Sequence, residues 1–447
     1  MELAVYVGRN QVAVLERSDA FRHVMTYLPK TLGEYFVSLT MPVRLESWTW
    51  PQGLHPFFRQ NLPEGPLLTA LREQAGSLFD GTDFSLLALV GRNAIGRVRV
   101  APEGADPFAL PQVFELRDVL QGDNSETRFL ELVRRYAVSG VSGVFPKFLS
   151  AAPKPAHGVD FEKASMRLAR HIVKGSSNRL PYLSLNEHFT MEVMRRAGLP
   201  VAKTEISEDG RVLVVERFDV DASGEPVYGV EDFCGLLGLA PEEKYSATWE
   251  RIVNTANVYL PADRKRKEFD KLALHILATY VLRDADCHSK NVALYYRTNE
   301  DVAFAPVYDM VTVTAYPDYA NNGPGMSIEG RKTWIPGKSL ERFLLVRLGV
   351  PVKRQVEMLE KLGDATVEVS KLVVAAMKSY EDFRDVGKAM LHCWNEGLNS
   401  VRDTKSSKAS TKLGKTIRDA GLADHQRPKE KKPSLGRSGL LGKRGSI

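Results

Sequence analysis

The sequence predicts an α+β protein: a small strand-rich unit at the start, a sheet-bearing lobe in the middle and a helical lobe after it. Three observations carry this expectation. Between His171 and Val215 a strand-like run, a helix with an apolar stripe and a hairpin follow one another, the composition of a helix packed on a small antiparallel sheet. From Val230 to about Gly397 helical patterns dominate. Within that half, Val292–Tyr296 and Val302–Val307 read as strands around the polar turn Arg297–Asp301, a hairpin that returns Asp309 to the level of Asn291.

Taken in order, Leu3–Val7, Val12–Leu15 and Gly96–Val100 have strand character, two of them with apolar/polar alternation. The segment Pro56–Gly65 opens a helix, and the proline-rich stretch Ala101–Pro111 reads as a linker. Ser139–Lys147 holds two glycines three apart and repeats Ser-Gly-Val, which predicts a tight turn. His171–Lys174 is a strand ending on lysine. A helix spans Leu185–Ala197, with Phe189, Met191, Val193 and Met194 on its apolar stripe and Gly198 and Pro200 stopping it. Lys203–Ile206 and Arg211–Val215 form a hairpin about Asp209-Gly210. The nearly continuous apolar run Phe269–Leu282 is a core helix leading into the loop at Asp286. The expected divisions are a strand-rich unit over 1–111, a sheet-bearing lobe over 112–220, a helical lobe over 221–400 and a tail over 401–447.

Composition excludes several classes. Hydrophobic content of 43% and charged content of 26% are ordinary for a globular chain. No apolar run approaches the ~20 residues of a membrane span, and the start, Met1–Tyr6, lacks the basic region of a signal peptide. Cys234, Cys287 and Cys393 are far apart and form no zinc pattern, which fits a reducing compartment. The expected location is cytoplasmic. The net charge of +6 is a property of the tail: residues 401–447 carry thirteen Lys/Arg against four Asp/Glu, leaving the body slightly acidic. Lacking aromatics and a hydrophobic pattern, the tail reads as disordered unless bound, with charge suited to phosphates of DNA or RNA.

The chemistry is concentrated in Asp286-Cys287-His288-Ser289-Lys290-Asn291 and in Asp309. An aspartate, an asparagine five residues on, an apolar hairpin and a second aspartate is the spacing of kinase-type phosphoryl transfer. Asp286 would orient the attacking hydroxyl and accept its proton, Asn291 would reach a magnesium ion, and Asp309 would bring a full charge to that ion. Asp284 competes for the first role, but five residues after it stands Ser289, a poor magnesium ligand. Lys290 reads equally as a phosphate contact or a surface lysine. Lys174 would pair with the α/β-phosphates; Glu187 on the next helix either holds it or is a solvated glutamate. Val214–Asp219 sits where an inter-lobe hinge belongs, with its backbone toward adenine and Phe218 against the base. A phosphate-loop decoy at Gly337-Lys338-Ser339 fails, because the required upstream glycine is Lys332. The fold these parts imply is bilobed and protein-kinase-like.

Over roughly residues 1–395 the chain resembles the HipA family, serine/threonine kinase toxins of bacterial type II toxin–antitoxin modules. The motifs that carry the resemblance are Leu62-Pro63-Glu64-Gly65, Ser142-Gly143-Val144-Phe145-Pro146-Lys147, Val215–Asp219, Glu231-Asp232-Phe233-Cys234, Asp286–Asn291 and Tyr308-Asp309. The resemblance implies ATP binding by Ser142, Gly143, Val144, Lys147, Lys174, Glu216, Arg217, Phe218, His288, Ser289, Lys290, Asn291, Tyr308 and Asp309. It implies catalysis by Asp286 and magnesium binding by Asn291 and Asp309. It further implies a HipB-like helix-turn-helix antitoxin as partner, DNA reached through that partner, and an aminoacyl-tRNA synthetase as protein substrate. Phe145 stands where the family usually has Gln, Cys287 where it has Gly, and Gly140 where it has the serine of self-inactivation. The competing expectations are a scaffold or co-repressor acting with the partner on DNA, and a kinase of a small molecule.

Overall fold

The computed structural model describes residues 2–18, 22–51, 53–75, 80–109, 114–144, 163–401 and 408–423. Alternation at the start of the chain builds β1 (Glu2–Val7) and β2 (Asn10–Arg17), with Leu3, Val5 and Val7 pointing into a core. Their hairpin turns on Gly8 at φ +59°, a left-handed conformation that favours glycine. β3 (His23–Tyr27) and β4 (Trp48–Trp50) extend the sheet on one side. The chain then forms α1 (Pro56–Arg59), α2 (Gly65–Ala75), which packs on Glu126–Val144 and Lys163–Arg167 further along, and α3 (Asp83–Val90), which packs on β5 (Val98–Pro102), the strand that completes the order β4-β3-β2-β1-β5. The helix expected from Pro56 makes a single turn. Pro63 cannot donate to a helical ladder and disfavours it at Leu62, so a new helix starts at Gly65 with φ +58°.

α4 (Leu116–Gln121) and α5 (Glu126–Val144) follow. Here one expectation fails. Ser139 to Val144 continue α5 instead of forming a glycine turn. The helix buries Phe129, Val133, Tyr136 and Ala137 along one face, and burial of that kind outweighs the ~1 kcal/mol that a glycine costs in a helix. Phe145, Pro146 and Lys147 lie outside the described residues.

β6 (Lys163–Arg167), β7 (His171–Ser176), α6 (Leu183–Arg196), β8 (Thr204–Ile206) and β9 (Val212–Glu216) form an antiparallel sheet in the order β6-β7-β9-β8 with α6 on one face. Val173, Val212 and Val214 on its other face join Phe129 of α5 and Leu3, Val5 and Val100 of the first sheet in one apolar core. That core runs continuously across residue 111, where the sequence suggested a linker.

The remainder is mostly helical: β10 (Gly229–Asp232), α7 (Phe233–Leu236), α8 (Trp249–Tyr259), α9 (Lys265–Val281), β11 (Ala293–Tyr296), β12 (Ala303–Phe304), α10 (Gly337–Leu348), α11 (Val352–Ser379) and α12 (Arg384–Ser400). β10, unforeseen because it is short and acidic, pairs with the expected β11–β12 hairpin. α9 is buried from Leu272 to Val281 and delivers the chain to Asp286. α12 crosses its end so closely that a Cβ on Gly397 would lie 1.9 Å from the Val281 carbonyl oxygen. The first sheet unit is fastened to this lobe by Glu231, which accepts from Ser38 Oγ and Leu39 N at 2.7 Å each and from the Tyr296 hydroxyl. No described helix is long and apolar enough to cross a membrane.

The tail is a second correction. α13 (Lys408–Asp419) packs Leu413 and Ile417 against α11 and α12, and His392 Nε2 lies 2.8 Å from the Leu422 carbonyl. Two large apolar residues four apart suffice for a packed stripe, and averaging composition over the whole segment hid them. Cutting the chain after Ser400 is therefore expected to lower the thermal midpoint by several degrees or more, since the buried side chains of Val401, Leu413, Ile417 and Leu422 are lost, each worth ~1.5–3 kcal/mol of burial. Cutting after residue 423 keeps α13 and its packing and is the reference for the comparison. Equal midpoints for both truncations would show that α13 contributes nothing to stability.

Candidate active site

Lys174 leaves β7 on the face opposite Val173 and meets α6. Its ammonium Nζ lies 2.6 Å from Glu187 Oε1 and 2.9 Å from Asp309 Oδ1. Glu187 is 2% exposed, so it is a buried ion-pair partner and not a solvated helix-face residue. Asp309 adopts φ +53°, a left-handed conformation uncommon outside glycine. Strain of this kind persists where surroundings impose it.

Below, the chain leaves α9 through Arg283 at φ +55°. Asp284 is 1% exposed and accepts the Asp286 N–H at 2.9 Å. It therefore holds the loop from inside, and Asp286 is the aspartate that faces the cleft, 16% of its side chain accessible. Asn291 Nδ2 donates to the carbonyls of Asp286 and Asp309, at 3.1 and 3.3 Å. One amide thus ties the two aspartates together and leaves its oxygen for a cation. Tyr308 donates from its hydroxyl to the Lys290 carbonyl at 2.7 Å, bracing the loop. The Cys287 thiol, fully buried, has its pKa pushed well up by desolvation and is no nucleophile.

A cavity of about 740 Å³ opens between the lobes, lined among others by Lys174, Phe218, Asp286, His288, Asn291 and Asp309. That volume suits a small organic ligand. Ile172, Ala202 and Val215 give it an apolar wall beside Phe218, whose ring centroid is 5.9 Å from that of Tyr308. Glu216, Lys290 and Tyr308 also line it.

Three of the expected nucleotide contacts have polar groups engaged by protein partners. Ser289 is fully buried and turns its Oγ to the Lys244 carbonyl at 2.8 Å, away from the cleft. Arg217 lines the cavity, but its backbone N–H donates to the Arg170 carbonyl and its guanidinium grips Asp219 at 2.6 and 3.0 Å. Lys290 reaches Glu64 Oε1 at 2.5 Å, so the surface unit at Leu62–Gly65 meets the loop directly. Ser142, Gly143 and Val144 have helical backbone in α5; their side chains, and all of Lys147, lie outside the described residues.

The sequence assigned no role to two residues of the cleft. Tyr245 donates its hydroxyl to Asp286 Oδ1. Asp232 lines the cleft, caps α7 through Gly235 N at 2.7 Å and is buried, which pushes its pKa up from 3.8 to about 7 despite the opposing charge of Lys290. No local motif marks Tyr245; the Glu231–Cys234 run did mark the neighbourhood of Asp232. A carboxyl whose folded pKa is raised costs stability once ionised. The penalty is absent below pH ~4, where the unfolded group is protonated too, and grows as pH rises to about 7. Asp232→Asn keeps the acceptor for Gly235 and removes the titration. Its stability relative to wild type should rise between pH 5 and pH 8, by at most about 3 kcal/mol. Parallel pH profiles of the two thermal midpoints would contradict this.

With this geometry in hand, similarity to known proteins is informative. Residues 139–370 match the HipA-like C-terminal domain and residues 3–101 match the HipA N-terminal domain. Sinorhizobium fredii has a protein named putative kinase Y4mE that is 32% identical over 297 residues, covering 63% of this chain and 69% of that protein. A Haemophilus influenzae protein named putative kinase is 27% identical over 197 residues, 41% of this chain and 55% of that one. The HipA chain of a Shewanella oneidensis MR-1 complex of HipA, HipB and operator DNA superposes with TM-score 0.66 at 19% identity, covering 90% of this chain and all of that chain. At that identity the last similarity speaks to the fold.

Proposed function

Because the chain belongs to the HipA family, we propose that it is an ATP- and magnesium-dependent serine/threonine protein kinase acting as the toxin of a toxin–antitoxin pair. The observation that carries this reading is the convergence, in one cleft, of the Lys174–Glu187–Asp309 ion pairs with Asp286 and Asn291. Lys174 is held where it can meet phosphate oxygens, and Asp286 where it can take a hydroxyl proton. The apolar wall by Phe218 would take the base. The amide oxygen of Asn291 and the carboxylate of Asp309 are the hard oxygen donors a magnesium ion takes, and two protein ligands fit an ion that keeps water and phosphate oxygens around it. Bound there, it would offset charge on the transferring phosphate.

The partner is a HipB-like DNA-binding antitoxin, a reading supported by the HipA–HipB–operator DNA composition of the Shewanella complex. An aminoacyl-tRNA synthetase is the substrate class this reading favours. Expression of wild-type protein, with an Asp286→Ala control, followed by quantitative phosphoproteomics tests the kinase reading and the substrate class. New phosphoserine or phosphothreonine in a synthetase, dependent on Asp286, is the expected result. Growth arrest without any Asp286-dependent phosphorylation would refute the kinase reading.

A further inference from the structure

The Tyr245 hydroxyl donates to Asp286 Oδ1, one of the two oxygens of the carboxylate that an acceptor hydroxyl must engage before it can attack. The tyrosine is held there from several sides. Its ring stands edge-on to His288, centroids 4.9 Å apart, and the ammonium groups of Lys332 and Lys244 lie 5.3 and 5.6 Å from the ring centroid. The segment that carries it is anchored one residue earlier, where Ser289 donates both its N–H and its Oγ to the Lys244 carbonyl at 3.1 and 2.8 Å. Lys332 Nζ donates to the Tyr245 carbonyl at 3.2 Å. The residue is 39% exposed. Rotation about its Cα–Cβ bond therefore carries the phenol off Asp286 without disturbing the anchored backbone.

We propose that Tyr245 gates the acceptor position, occupying the place on Asp286 that a substrate hydroxyl takes and denying it to water. This rests on the kinase reading above. A substrate hydroxyl replaces the phenol with a bond of the same kind, O–H to carboxylate, and the rest of the substrate brings contacts that offset swinging the ring out. Water brings none. The side reaction restrained in this way is hydrolysis of the nucleotide. In it a water oxygen bonds to the γ-phosphorus, the bond from that phosphorus to the β–γ bridging oxygen breaks, ADP leaves with the electron pair, and the water's proton passes to Asp286. Tyr245 acts through Asp286 and is a positioning residue. A role confined to bracing Asp286 predicts the opposite sign, since loss of the brace would slow every reaction at that carboxylate.

The experiment uses the full-length protein with magnesium and ATP and no protein substrate. ATP hydrolysis and affinity for a non-hydrolysable ATP analogue are measured for wild type, Tyr245→Phe, Tyr245→Ala and Tyr245→Phe combined with Asp286→Asn. The expected result is hydrolysis raised several-fold by Phe and further by Ala, analogue affinity unchanged, and the increase abolished in the double variant. Hydrolysis that is unchanged or slower in both single variants, with analogue binding intact, overturns the gate and leaves the kinase reading standing. An increase that survives in the double variant also overturns it, because the exposed group would then not be Asp286. Wild-type protein that binds no nucleotide overturns the kinase reading, and the gate with it.

Discussion

Asp286→Ala is expected to bind the magnesium–ATP complex about as well as wild type and to transfer phosphate roughly 10²–10⁴-fold more slowly, the usual contribution of a positioned acid–base group. The loop around it should survive the change. Asn291 Nδ2 holds the backbone carbonyl of residue 286, and Asp284 holds its N–H, so neither bond depends on the deleted carboxylate. Asp309→Ala should behave differently. It removes a partner of Lys174 and the proposed cation ligand, so nucleotide affinity should fall together with transfer. Calorimetric titration with a non-hydrolysable analogue, beside a transfer assay, separates the two. Robust transfer by Asp286→Ala would sink the assignment, and equal affinities for wild type and Asp309→Ala would remove Asp309 from the cation site.

The largest expected effect on stability lies at the hinge. Arg217 and Asp219 form an ion pair with side chains 2% and 1% accessible. Asp219 also accepts the Gly96 N–H at 2.7 Å, and Arg217 donates to the Ala94 carbonyl at 3.0 Å, so the pair joins the first sheet unit to the strand that ends at Glu216. Asp219→Ala strands the guanidinium in a buried site with only neutral acceptors, a change that costs about 3–5 kcal/mol. Urea unfolding should show the midpoint falling accordingly. Arg217→Met with Asp219→Leu removes both charges and should recover much of the loss, because a buried pair and an apolar pair of similar volume are often near parity. A loss below about 1 kcal/mol for Asp219→Ala would mean that water or another anionic group compensates, and that the pair does not hold the hinge.

What the sequence determined by itself was local. The hairpin at Asp209-Gly210, the helix stopped by Gly198 and Pro200, the buried run of α9 and the β11–β12 return all depend on residues within a few positions of one another. The spacing that brings Asn291 between the carbonyls of Asp286 and Asp309 is nearly as local, closed by one hairpin. Tertiary structure decided everything that depends on what a segment packs against. Ser139–Val144 carries turn-like glycines yet is helical, because burial further back along α5 holds the helix. Leu413 and Ile417 fold α13 out of a basic tail, because α11 and α12 offer them a surface. Ser289 and Arg217 sit in the motifs but spend their polar groups on Lys244 and Asp219. Tyr245 meets Asp286 across 41 residues of chain, and Glu64 meets Lys290 across 226. Local spacing fixes which groups share a loop; only the closed fold fixes which distant group stands opposite, since side-chain hydrogen bonds form only within about 3 Å.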